Sequence, residues 1–257
     1  LVLSGGSALG YAHLGALKYL EENELRPTEI IGTSMGALIS AAYAMGMSSN
    51  NITTIVKNIN YLKLIDFKIL NTTLTGHDKI KHFLKNIFGN NTLADLKIDL
   101  KITASSFKTG ELIVFDKTSN IKIVDAICAS ISIPGVFELY KYRGNYYADG
   151  LLASNLPIEV SDKNIKTILA INVVNSNHLK NKIKDNNVLD ILNRSFIICK
   201  VNQGIDKLNL LDKNKNVILV EPNLCEYNFA SFKHWKELSE IGYKETKNVL
   251  KNNLQLL

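Results

Sequence analysis

The sequence predicts an α/β fold, a mostly parallel central sheet flanked by helices, and three stretches carry that prediction. "LVLSG", residues 1 to 5, is a short apolar run closed by glycine, as a buried parallel strand requires. "YAHLGALKYLEENEL" follows with helical spacing, and "EIIGTS" then reads as a second strand, so the opening is a βαβ unit. "MGALISAAYAMG" is small and apolar on every side, the pattern of a helix buried all round.

Taken in order, the first helix places Ala12, Leu14, Ala16, Leu17 and Leu20 on or near one face, with Pro27 just beyond its end. Between residues 50 and 90 the character changes. Ile52, Ile55, Val56 and Ile59, then Ile80, Phe83, Leu84, Ile87 and Phe88, recur at helical spacing among lysines and asparagines, and Gly89 supplies a stop. These are expected amphipathic helices of a cap-like insertion over about 50–95. "DLKITASSFKTGELIVFD" alternates around Lys108, Thr109 and Gly110, and "ELYKYRGNYYADG" does so around Arg143 and Gly144; both predict hairpins. "TILAINVV" and "NVILVEP" predict further core strands, with helical segments around 188 to 211 and 232 to 254. With no repeat, low-complexity tract or Pro/Gly linker, residues 1–257 are expected to form a single domain.

Composition narrows the function classes. Of the 257 residues 46% are hydrophobic, enough for one sizeable core. Cys128, Cys199 and Cys225 form neither an even disulfide set nor a metal pair, so buried thiols in a reducing compartment are expected. No run approaches the roughly 18 apolar residues of a membrane span. A cytoplasmic protein is the expectation, although Leu1 falls inside a strand reading, which leaves room for an upstream signal. The net charge of +6 suits an anionic surface such as a phospholipid interface, while the scattered lysines mostly describe solvated helix faces. No basic stripe with interleaved aromatics argues for nucleic acid.

The candidate chemistry begins at "IIGTSMGALIS". Gly32, Ser34 and Gly36 fill G-x-S-x-G, the spacing that seats a serine on a sharp strand-to-helix turn with its hydroxyl exposed, and the helix beyond directs its positive end there. A serine hydroxyl needs a base and an oxyanion site. "SGGSALG", residues 4 to 10, offers glycine-rich backbone after the first strand; it fits neither a dinucleotide fingerprint nor a P-loop, so an oxyanion loop is the better reading. For the base, His234 comes late enough to complete a triad but sits in an ordinary helix, and His13, His77, His82 and His178 have no partner motif. Asp149 ends a strand and is followed by Gly150, at the mouth of an α/β sheet.

Together these parts resemble the patatin-like phospholipases, whose members carry G-G-G-x-R-G, a G-x-S-x-G elbow and a late D-G-G or D-G-A. Here they stand as "GGSALG", "GTSMG" and "DGL", in that order, joined by "ASISIPGVFELY" and "NLPIEV"; the likeness runs from Leu1 to about Val174. The resemblance implies a three-layer α/β sandwich and a Ser/Asp dyad: Ser34 as nucleophile, Asp149 as base, and the amides of Gly5, Gly6 and Ser7 as the oxyanion hole. Gly10, Gly32, Gly36 and Gly150 would support these motifs. It implies fatty-acyl ester hydrolysis on phospholipid through an acyl-enzyme, at a peripheral membrane surface, with no cofactor and no calcium. A partly desolvated Asp149 is expected, since a carboxylate is otherwise a weak base.

The chain departs from the family pattern at Ser7, which replaces a glycine, at Leu9, which stands where a basic residue is usual, and at Leu151, where a small residue is usual. Two alternatives remain at this point. An acyltransferase would use a similar elbow, although Thr33 stands where transacylases typically carry histidine; a lipid-binding module that has lost activity would explain the departures.

Overall fold

The structure is a computed structural model that describes residues 1–57, 76–180, 188–209, 215–253 and 255. Its strands are β1 Val2–Leu3, β2 Glu29–Thr33, β3 Asp99–Ser106, β4 Leu112–Phe115, β5 Tyr140–Tyr142, β6 Asn145–Asp149, β7 Thr167–Ile171 and β8 Asn216–Val220. Its helices, in the same chain order, are α1 Tyr11–Glu22, α2 Met35–Ala44, α3 Ser49–Lys57, α4 Asp78–Phe88, α5 Ile123–Ser130, α6 Val188–Asn209 and α7 Trp235–Lys251.

The strands form one sheet in the order β5-β6-β3-β2-β1-β7-β8, with β4 also on β3. β1, β2, β3, β7 and β8 run parallel, and β4, β5 and β6 are antiparallel additions at one side. Both predicted hairpins are present: β3–β4 turns through Gly110 at φ 75°, and β5–β6 turns through Arg143 and Gly144 at φ 47° and 78°. Two consecutive positive φ values match the twist of the strands they join.

Alternation along the parallel strands divides the interior. Leu3, Ile30, Leu169 and Ile171 face the main core with α1, α2, α5 and α7, whereas Val2, Ile31, Ile168 and Ala170 face Leu156 and Ile158 on the other side. α6 lies against the Ile158–Val160 turn that covers this second face. The result is helices on both sides of a mostly parallel sheet.

Glycines bring α1 and α7 into backbone contact. A Cβ on Gly15 would meet Ser239 O at 1.8 Å, and one on Gly242 would meet Ala12 O at 2.0 Å. No side chain fits at either place, so the two helices lie closer than ordinary packing allows.

The expected cap-like insertion is described only in part, because residues 58–75, including Ile59, lie outside the described residues. Its described helices are anchored in the main core: Ile52 and Val56 of α3 and Ile80, Leu84 and Phe88 of α4 are buried there. Each such side chain contributes on the order of 2 kcal/mol of burial. Gly89 ends α4 at φ 59°. The expectation of buried thiols is corrected: Cys128 is buried, but Cys225 is half-buried and Cys199 is exposed on α6.

Candidate active site

β2 carries its register with β3 up to Thr33 and then stops at Ser34, which has φ 54° and ψ −120°. A non-glycine residue there is strained by about 1–3 kcal/mol, and only surroundings that over-determine the turn hold it. The Ser34 carbonyl accepts the amides of Ala37 at 2.9 Å and Leu38 at 3.2 Å, and its own amide donates to Ser130 Oγ at 2.8 Å. Gly36 lets the turn pass beneath β1, since a Cβ there would stand 2.4 Å from Leu3 O. Gly32 and Gly10 have side-chain-free faces against Ala37 and Met35 in the same way.

Asp149 ends β6 and is fully buried, at 0% exposure. Ser34 Oγ donates to Asp149 Oδ2 at 2.6 Å, and the Leu151 amide donates to Oδ1 at 2.9 Å. Both carboxylate oxygens are therefore engaged. Its backbone is held as firmly: the Asp149 amide donates to Ser132 O at 2.9 Å and Ser105 Oγ donates to Asp149 O at 2.8 Å. Gly150 crosses over β3, where a Cβ would meet Thr103 O at 2.5 Å. Burial pushes the Asp149 carboxyl up to about 7, while the bonds from Ser34 and Leu151 and the charge of Lys200 oppose that rise. The expected partly desolvated carboxylate is thus a fully desolvated one.

The glycine-rich loop abuts the serine. A Cβ on Gly5 would lie 3.2 Å from Ser34 Cβ and 2.8 Å from Asn155 Oδ1, and one on Gly6 would meet Val173 Cγ2 at 2.5 Å. The three amides expected to face an oxyanion are not equivalent. Gly5 donates to Asn155 O at 3.2 Å, on the segment that follows the Asp149 turn, one residue after Ser4 makes the last bond to β7. Among the described residues no hydrogen bond is donated by the amides of Gly6 or Ser7, so these two are unengaged. Ser7 has φ 49°, so the residue that replaces a glycine carries real backbone strain. Leu9 is buried in the core and has no part in the site. Leu151 is buried too, and it contributes its amide.

Several residues that the motifs do not contain complete the arrangement. His13 Nε2 donates to Ser4 O at 2.9 Å and anchors the loop; burial lowers this imidazole to about 4, so it is neutral and unsuited to take a proton at pH 7. His77 Nε2 donates to Ser132 Oγ at 2.8 Å, since that hydroxyl gives its own hydrogen to Cys128 O at 2.7 Å. Burial, helped by Lys81, lowers His77 to about 4 as well. His234 is an exposed partner of Glu237, and His178 is buried beside Asn175. Ser130 follows its motif neighbours at the end of α5, but Lys200 and Gln203 come from α6, which no motif reaches. Lys200 Nζ donates to Leu151 O at 2.6 Å and Leu152 O at 3.0 Å, and Gln203 Nε2 donates to Ala153 O at 2.7 Å. Thr33 Oγ1 pairs with Thr103 Oγ1 at 2.7 Å, away from the Ser34 hydroxyl's partner.

The fold and the sequence that carry this arrangement have counterparts among known proteins. VipD of Legionella pneumophila superposes with a TM-score of 0.62 at 15% identity, over 97% of this chain and 66% of that one. The type III effector ExoU superposes with a TM-score of 0.51 at 15% identity, over 97% of this chain and 52% of that one. At such identities the likeness concerns the fold. In sequence, an uncharacterized protein of Acanthamoeba polyphaga mimivirus is 27% identical over 96% of this chain and 92% of its own length. An uncharacterized NTE family protein of Mycobacterium tuberculosis is 31% identical over 62% of this chain, and triacylglycerol lipase 5 of Saccharomyces cerevisiae is 29% identical over 53%. The chain spans only 27% and 22% of those two relatives. The family model for patatin-like phospholipase matches residues 1–162, which contain the loop, the elbow and the Asp149 turn, and by that match the chain belongs to the patatin-like phospholipase family.

Proposed function

We propose that the chain is a lipid acyl hydrolase of phospholipase A type, with Ser34 as nucleophile and Asp149 as general base. The observation that carries this reading is the 2.6 Å hydrogen bond from Ser34 Oγ to a fully buried carboxylate. Asp149 takes the Ser34 proton as Oγ bonds to the ester carbonyl carbon, and the amides of Gly6 and Ser7 receive the oxyanion, aided by the positive end of α2. Collapse breaks the ester C–O bond, and the proton returns from Asp149 to the leaving alkoxide. Water then gives its proton to Asp149 and attacks the acyl-enzyme, and Ser34 leaves with that proton. A base near 7 is suited to this exchange, because it both accepts and returns a proton at neutral pH.

The surface around the site supports a lipid substrate met at an anionic membrane. Phe107 and Tyr146 are 55% and 48% exposed where β3 leaves the sheet, the end at which β2 delivers Ser34. Leu152 in the Asp149 turn is exposed as well, Lys141 lies 5.6 Å from the centre of the Tyr146 ring, and Lys108 follows Phe107 in the chain. The lipase and phospholipase names of the family and of the yeast relative point to the same substrate class.

The test is fatty-acid release from mixed phospholipid vesicles in EDTA, comparing the intact chain with Ser34→Ala and Asp149→Asn. Release that both substitutions abolish, with the fold intact, is expected. Release that requires added calcium would overturn the metal-free mechanism, and acyl transfer to an alcohol in preference to water would replace hydrolysis by transfer.

A further inference from the structure

The turn that follows Asp149 is held by a buried cation from a helix outside the family match. Lys200 is 7% exposed, and its ammonium donates to Leu151 O at 2.6 Å, Leu152 O at 3.0 Å and Gln203 Oε1 at 3.3 Å. Three donors meet three acceptors, so its hydrogen bonds are satisfied. Its charge lies 5.4 Å from the centre of the Phe196 ring, and among the described residues no carboxylate forms an ion pair with it. A buried ammonium without a paired carboxylate is costly, and a neutral side chain could hold two carbonyls as well. Cys199 and then Asp149 act on it electrostatically, and Asp149 is the carboxylate of the two.

We propose that Lys200 is the positioning residue of the dyad: from α6 it pins the turn whose Leu151 amide aims the Asp149 carboxylate, and it supplies the buried positive charge that this carboxylate experiences. The inference rests on the reading of Asp149 as a base. Gln203, donating to Ala153 O at 2.7 Å, is the neutral second anchor of the same turn.

The neighbouring groups leave this role to Lys200. Ser34 from the start of α2 contributes a hydrogen bond and no charge. His77 approaches only through Ser132, and above pH 5 it is neutral because burial lowers it to about 4. Cys199, beside Lys200 on α6, is exposed. Burial lowers the Lys200 ammonium from its usual value, with Cys199 and then Asp149 acting the other way. Removal of the positive charge would let desolvation of Asp149 act with less opposition, so its midpoint would rise and the acidic limb of kcat/KM would move to higher pH.

The experiment follows the Asp149 carboxyl by infrared difference spectroscopy against Asp149→Asn, and in parallel the pH profile of ester hydrolysis, in the intact chain and in Lys200→Gln, Lys200→Arg and Gln203→Leu. In Lys200→Gln both midpoints are expected to rise by about one pH unit or more, a tenfold loss of ionised base on the acidic side. Lys200→Arg keeps the charge and is expected to restore the midpoint, and Gln203→Leu to leave it in place. An unmoved midpoint in Lys200→Gln overturns the proposal, as does an equal shift in Gln203→Leu. A carboxyl midpoint that follows the charge in a chain that hydrolyses no ester would uphold the positioning role and overturn the hydrolase reading instead.

Discussion

Ser34 and Asp149 meet at 2.6 Å, and the two are brought there in different ways. Ser34 is shaped mainly by its own neighbourhood, a strand that ends, a helix that begins, and glycines at 32 and 36 that let the chain pass close to Leu3, with one distant bond from its amide to Ser130 Oγ. Asp149 is fixed by distant parts of the chain, namely Ser132 at the end of a helix, Ser105 on a neighbouring strand and Lys200 on α6. The difference teaches why one half of the site is a recognisable motif and the other is only an Asp-Gly. A strained local turn demands particular residues at fixed spacing, whereas a tertiary clamp can come from anywhere.

The contrast can be broken at its chemical centre first. Ser34→Ala and Asp149→Asn are each expected to lower ester hydrolysis by about a thousandfold or more, read as initial rates on one lipid substrate. Equal losses, with the double variant no worse than either, would show the two acting as one unit.

The backbone contacts come next. Gly36→Ala and Gly150→Ala place a methyl 2.4 Å from Leu3 O and 2.5 Å from Thr103 O, against backbone that cannot move aside. A loss of about 1–3 kcal/mol in denaturant unfolding is expected for each. If the Asp149 half were less rigid than the elbow, Gly150→Ala would be the milder of the two.

Asp149 also makes stability depend on pH. Its folded carboxyl lies near 7 against an ordinary 3.8, so the folded state favours the protonated form. The stabilising preference is complete below the ordinary value and is lost as pH rises through the folded one. Asp149→Asn, which cannot ionise, is therefore expected to melt above the parent at pH 8, with the gap narrowing at pH 5. Equal melting at both values would mean that the carboxylate is better solvated than its burial indicates.

The smallest effect belongs to the loop. Ser7 at φ 49° carries strain that glycine would not, so Ser7→Gly is expected to stabilise by about 1 kcal/mol. Because the amide remains, ester hydrolysis should not fall, and a clear loss would mean that the Ser7 side chain contributes more than its backbone.

The βαβ opening, the buried second helix, both hairpins and the elbow at Ser34 were legible in the sequence, since each depends on local periodicity or on glycine at a set position. The pairing of that serine with Asp149 was implied by the family resemblance. The engagement of the Gly5 amide was not legible, because its acceptor, Asn155 O, is 150 residues away on a segment that approaches only in the folded chain. The exposed Cys199 was missed because a 22-residue helix of mixed pattern does not announce which face it buries.

What the sequence by itself determined is the order of strands and helices and the strained turn at Ser34, while the aspartate was singled out by the family resemblance. Only the tertiary structure decided that Asp149 is stripped of water, that Gly6 and Ser7 keep the unengaged amides, and that Lys200 holds the turn after Asp149. Hydrophobic spacing and turn chemistry act over a few residues and leave marks at fixed intervals, while desolvation and charge act across space, between residues whose separation along the chain carries no signal.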